Sequence, residues 1–303
     1  MVNSRLTKRI NLFVIFLIIF GLRSSLAQKA FPIETGFAQH IFSFGEIEYL
    51  EDVNKNYSIQ EVSSSKFNKL FKASESSTPN NNHLQSVYWY RIKIQHNPKA
   101  DKNYILEFFD QTIDDITAYV PTAPGRYKVV KLGDKHNFDK RQLDHKNFEI
   151  ILENEIDGER VYYFRIMSSQ TADVIIVLRS VSFFIKYALN EYFTFGIFYG
   201  MILVFSFYNL MMFIAIRQRQ YFYYVLYNLS IGFYEMSIDG IAYQYLWPNL
   251  PSWNQYAYGV ALFLVSVFAL LFTRKLLLVK TKAPKLYQDD RHPHCDFPYL
   301  LNL

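Results

Sequence analysis

No charged side chain interrupts the stretch from Tyr192 to Ile216. As a helix it would exceed the ~20 residues that cross a hydrocarbon core of ~30 Å. A buried helix of a soluble protein is seldom so long and so apolar on every face. The stretch divides the chain: mostly polar, strand-like sequence precedes it, and membrane-like sequence continues to about Leu278. A mean hydropathy of -0.02 averages over these unlike halves.

The amino terminus reads as a signal peptide over residues 1–27. Arg5, Lys8 and Arg9 precede the short apolar run Ile10–Gly21, and small residues follow at Ser25 and Ala27. That order of charge, grease and small residues marks a segment cleaved on export. An uncleaved anchor would need a longer apolar run. The single cysteine, Cys295, excludes an intramolecular disulfide. A net charge of +5, spread along the chain, gives no footprint for nucleic acid.

Residues 28–189 are expected to form an exported, all-β jelly-roll or β-sandwich domain. Aromatic-rich runs alternate with turn formers, giving candidate strands Ile41–Tyr49, Val87–Ile94, Tyr104–Phe109, Ile116–Val120, Tyr127–Leu132, Phe148–Leu152, Val161–Met167 and Val174–Leu178. Tyr88, Tyr90, Ile92 and Ile94 would share one face, with Trp89, Arg91 and Lys93 on the other. Breaks at Asn97-Pro98, Gly133-Asp134 and Asp157-Gly158 suit turns. Strands without intervening helices point to an antiparallel sandwich.

No catalytic signature occurs in this half, and no cofactor or metal is expected. Asp110, Asp114 and Asp115 read as solvated carboxylates rather than a calcium site. Tyr88, Trp89 and Arg91 offer flat rings and a forked guanidinium suited to a sugar. The plainer alternative packs Tyr88 and Trp89 into the core and pairs Arg91 with a carboxylate.

A short linker is expected around Ser182–Glu191, and residues 190–279 are expected to hold three membrane helices. The first ends at Arg217 and Arg219, the second runs Tyr221–Tyr243, and the third runs Gln255–Thr273 before Arg274 and Lys275. The cationic ends lie on the cytoplasmic side, and Trp247 and Trp253 on the outer side, if the first half is exported. Gly196 and Gly200 would permit close helix approach. On the second helix Asn228, Gly232, Glu235 and Asp239 share one face. A carboxylate at mid-bilayer costs about 2.5–3.5 kcal/mol on insertion scales. The stripe therefore reads as a relay or as a hydrogen-bonded contact with a neighbouring helix, and Glu235 calls for another chain, a second copy or another membrane protein. The polar tail, residues 280–303, carries His292, His294 and Cys295, three residues too incidental to read as a metal site.

These residues also carry a resemblance. Leu50-Glu51-Asp52, Tyr88-Trp89-Tyr90-Arg91, Gly133-Asp134 with Phe138 and Arg141, and Tyr162-Tyr163-Phe164-Arg165 resemble the type-2 extracellular domain of bacterial seven-transmembrane receptors with diverse intracellular signalling modules. Gly196–Gly200, Tyr208-Asn209-Leu210, Tyr221–Tyr224, Asp239-Gly240 and Leu246-Trp247-Pro248 resemble that family's first spans. The resemblance implies a multi-pass receptor of the bacterial inner membrane with a periplasmic sandwich. Its ligand would be a small molecule, sugar being the supposed class, and it would have no catalytic role. Three spans stand where the family has seven, with no output module, so a truncated or frameshifted reading frame is expected. Chemistry and motif position nominate Trp89, Arg91 and Arg141 for ligand contact and Asn209, Glu235 and Asp239 for relay. The alternative is a membrane-anchored carbohydrate-binding or adhesion protein that does not signal.

Overall fold

The computed structural model describes residues 28–100, 103–123, 125–153 and 157–277. The expected signal peptide and polar tail, with His292, His294 and Cys295, lie outside them.

Two sheets pack face to face among the described residues. The larger runs β4 (Lys72–Ala73), β3 (Glu48–Asp52), β5 (Val87–His96), β10 (Gly158–Met167), β7 (Asp115–Ala123) and β8 (Arg126–Leu132), with β1 (Phe31–Pro32) parallel to β5. The smaller runs β2 (Gln39–Ile41), β11 (Ile176–Ser180), β6 (Asn103–Phe108) and β9 (Phe148–Glu153). From β5 to β7 and again from β8 to β11 the chain passes back and forth between the sheets. The β-sandwich inferred from alternation is therefore present.

Period-two alternation places the core. Tyr88, Tyr90, Ile92 and Ile94 point inward from β5, and Phe108 meets Phe164 edge-on across the sheets at 4.9 Å. Each such buried side chain contributes about 1.5–3 kcal/mol. The expected strand Ile41–Tyr49 is broken in two. Glu46 accepts a hydrogen bond from the Ser43 backbone N–H, and Phe44 takes a left-handed φ of 46°, forming a 3-10 turn between β2 and β3.

On the outer face of the larger sheet lies a second apolar cluster. The segment after β3, with the short helix α1 (Ile59–Val62) and a 3-10 turn at Phe67–Lys69, crosses over Trp89 and Tyr163. Alternation alone gives no sign of this cover.

The residues expected to be a linker, Ser182–Glu191, are helical. Ser180 Oγ caps the helix by accepting from Phe183 N–H at 3.4 Å, and α2 then runs unbroken over Val181–Ile216. Its 36 residues span about 54 Å at 1.5 Å each, well beyond a ~30 Å core. The first turns of α2 thus belong with the sandwich. Three elements follow: α3 (Arg219–Ile238), the short α4 (Ile241–Tyr245) and α5 (Pro251–Leu276). By length and apolarity α2 and α5 can cross a membrane; α3 is long enough but more polar.

The polar face of α3 packs on α2. Asn228 Nδ2 donates to the Ile202 carbonyl and to Ser206 Oγ, both at 2.9 Å, and Gly232 leaves room for the Ile202 side chain. Asn228→Ala should cost roughly 0.6–1.7 kcal/mol, the range for interhelical hydrogen bonds in membranes. Equilibrium unfolding of the full chain in detergent would check it. Gly196 and Gly200, in contrast, face open space, so no described helix uses that pair for close approach.

Candidate junction site between the sandwich and the helices

The loop between β8 and β9 carries hydrogen bonds from the sandwich to the helices. Gly133, at φ +125°, turns the chain tightly beside Asp114 and launches Asp134, whose N–H donates to the Ile113 carbonyl at 3.0 Å. Further on, Phe138 N–H donates to the Pro248 carbonyl at 2.9 Å, and the Tyr243 hydroxyl donates to the His136 carbonyl at 2.6 Å. Gln244 Nε2 donates to the Asp144 carbonyl at 3.1 Å, while its Oε1 accepts from the Tyr192 hydroxyl at 2.6 Å. Phe138, Ala242, Tyr243, Trp247 and Ala257 form an apolar cluster around these bonds. Gly240, at φ +76°, allows the turn before α4 to pass close to the Lys146 carbonyl. Packing and hydrogen bonds thus seat α4 and the start of α5 on one sandwich loop.

Beside this seam lies a cavity of about 360 Å³. Gln111, Thr112, Asp114, Asp134, Ser169 and Gln170 line it from the sandwich; Tyr234, Ser237, Tyr243, Asn254, Gln255 and Tyr258 line it from the helices. Its size falls in the range of small-molecule sites. Lys135 Nζ pairs with Asp114 Oδ2 at 2.6 Å, and the Ser169 N–H donates to the same carboxylate at 3.0 Å. Asp134 is only 5% exposed, and among the described residues its side chain receives one hydrogen bond, from Gln255 Nε2 at 3.3 Å. Burial raises its pKa to about 7.

Beneath the seam, Glu107, Arg179, His145, Lys146, Asn147 and Glu149 form a buried polar cluster capped by Glu191 of α2. Arg179 pairs with Glu107, which also accepts from Asn147. His145 Nδ1 meets Glu149 Oε1 at 2.6 Å, and Lys146 Nζ meets Glu191 Oε1 at 3.1 Å. Burial raises Glu149 to about 7, and it opposes a charged His145; the hydrogen bonds to Glu149 and Glu191 outweigh that and raise the imidazole. Ligand atoms of Glu107, His145 and Glu149 lie within 4.8 Å of one another, a spacing a metal ion could use. Yet Arg141, Lys146 and Arg179 already balance Glu107, Glu149 and Glu191 in charge, so an ionic network suits the site better than a dication.

The nominated residues fall in different places. Trp89 is completely buried, stacked on Tyr119 at 5.5 Å under the covering segment, and offers no ring face to a sugar. Arg91 lines a separate groove of about 620 Å³, but its guanidinium is held by Glu48 at 2.5 Å and Asn68 at 2.6 Å and lies 4.1 Å over the Phe71 ring. Arg141 borders the junction cavity. Its Nη1 donates to the carbonyls of His145, Lys146 and Asn147 at 3.0, 2.5 and 3.0 Å, between the rings of Phe138 and Phe148. It therefore braces the loop. Asp110, Asp114 and Asp115 each have separate partners: Thr112 and Asp173, Lys135 and Ser169, and His136. Of the relay residues, Asp239 accepts from the Tyr199 hydroxyl of α2 at 3.3 Å. Asn209 donates to Phe205 within its own helix, and Glu235 makes no side-chain hydrogen bond among the described residues. Sequence reasoning missed Asp134, Gln170 and Gln255 as a group; the Gly133-Asp134 turn was the available signal.

Residues 45–180 match the family model described as 7TMR-DISM extracellular 2, and residues 191–289 match that described as 7TM diverse intracellular signalling. No curated protein matches the chain. Among solved structures, a beta-glucuronidase from an uncultured Clostridium sp. is similar over 50% of this chain and 30% of its own, at 13% identity and a TM-score of 0.26.

Proposed function

Since this chain belongs to the family of seven-transmembrane receptors with diverse intracellular signalling modules, we propose that it senses a small polar molecule bound in the junction cavity. The family makes it a membrane sensor with an extracellular amino-terminal domain. One observation supports the cavity as the place of sensing: its walls come from both the sandwich and the helices. A ligand there touches both bodies at once. It therefore binds unequally to arrangements that open or close the seam, the thermodynamic requirement for a signal. Asp239, bonded to Tyr199 beside the same seam, is the residue placed to pass the change to α2. On this reading the chain is multi-pass in a bacterial inner membrane, α3 crosses with α2 and α5, a signal peptide exports the sandwich, and the protein catalyses nothing. Sugars belong among the ligands to try, because amide and tyrosine walls suit hydroxyl-rich rings.

The test is a thermal-shift screen of the full chain in detergent against neutral sugars, amines and carboxylates. A ligand that binds only the native state raises the melting point. Thr171→Trp, on the exposed rim of the cavity, should abolish the shift by filling the space. Hits that survive Thr171→Trp, or a screen without hits, would overturn the assignment of this cavity.

A further inference from the structure

We infer that the junction cavity selects ligands carrying an ammonium group, held at the buried carboxylate of Asp134. The inference rests on the cavity being the sensing site and adds the charge of what enters it.

The charged groups around the cavity decide the matter. Facing Asp134 are Asp114, Lys135 and Arg141 from the sandwich and Tyr243 and Gln255 from the helices. Lys135 pairs with Asp114, and Arg141 Nη1 donates to three backbone carbonyls that fix the guanidinium to the loop. Asp134 is buried on the cavity wall and receives one long hydrogen bond, from a neutral amide. An N–H donor bearing positive charge fits it best, because charge-assisted hydrogen bonds are about twice as strong as neutral ones. Tyr234, Tyr243 and Tyr258 also line the wall, an aromatic composition that suits a cation. An anionic group placed at that position would meet the Asp134 carboxylate.

Hydrogen bonds to charged groups contribute about 1.5–3 kcal/mol, or roughly 10- to 100-fold in affinity. Two matched sets test this on the full chain in detergent: glucosamine against glucose, N-acetylglucosamine and glucuronate, and tyramine against its isostere 4-propylphenol. In at least one set the amine should bind at least tenfold more tightly than its neutral counterpart. Asp134→Asn should erase that preference while leaving the protein's own melting point within a few degrees. Affinity for tyramine should also fall as pH drops from 8 to 6, because burial keeps Asp134 half-protonated near 7 and only its ionised form attracts the cation. Neutral sugars binding as well as amines, with binding lost in Thr171→Trp, would overturn the ammonium assignment and leave the cavity standing. If Thr171→Trp changes nothing, the cavity reading fails, and this inference with it. Tight binding of glucuronate would overturn the charge argument outright.

Discussion

Replacing Arg179 with alanine is expected to destabilise the full chain by about 3–5 kcal/mol, the usual cost of removing one partner of a buried ion pair. Arg179 sits on β11 with 4% of its side chain exposed, pairs with the fully buried Glu107, and lies 4.0 Å over the Tyr187 ring. Alanine would leave the Glu107 charge with Asn147 as its remaining partner. The ring contact with α2 would go too, loosening the helix that the seam depends on. The double variant Arg179→Met with Glu107→Leu should recover most of the loss, because removing both charges removes the desolvation penalty. Denaturant unfolding of the three proteins in one detergent separates the cases. A loss below about 1 kcal/mol for Arg179→Ala would show that water reaches Glu107 and that the network is not closed.

The sequence made the sandwich legible because alternation is a local property. Tyr88, Tyr90, Ile92 and Ile94 fall on the core face for the same reason that Trp89, Arg91 and Lys93 fall on the other. What alternation leaves open is whether the second face meets water. Here Tyr57, Ile59, Val62, Phe67 and Phe71 cover it, from one helical turn, a 3-10 turn and the loops beside them, all too short to show a period. A strand bearing Trp and Arg is consequently ambiguous between a sugar platform and a second apolar layer. The residues of Ser182–Glu191 misled for a related reason. They read as a linker against the uncharged run that follows, yet Lys186 and Glu191 lie on the turns of α2 that stand with the sandwich, where charge is tolerated. The stripe on α3 was readable because Asn228, Gly232 and Asp239 recur at helical spacing and find Ser206, Ile202 and Tyr199 on α2. The junction was not readable. His136 and Tyr243 are 107 positions apart, Asp134 and Gln255 are 121, and no pattern within either segment announces the other.

Gly133→Ala should be the most damaging small substitution in the seam, costing about 2–5 kcal/mol from strain and overlap together. An added Cβ would stand 2.2 Å from the Asp114 carbonyl oxygen and 2.9 Å from the Asp115 Cα, both backbone atoms that cannot swing aside. A φ of +125° is also one that L side chains rarely adopt. Relief requires β7 and β8 to separate where Asp134 and Lys135 donate to the carbonyls of Ile113 and Asp114. That movement carries Asp134 away from Gln255 and disturbs the Lys135–Asp114 pair, so ligand response should disappear even in whatever fraction stays folded. Gly125→Ala supplies the control. That glycine also has positive φ, +71°, but an added Cβ meets nothing within 4 Å, so only backbone strain of about 1 kcal/mol remains. Melting temperatures of the two variants, measured beside their ligand-induced shifts, distinguish a contact from a conformational preference. Equal losses in the two would mean that the close approach at Asp114 relaxes freely. The seam would then tolerate movement at the turn that launches Asp134.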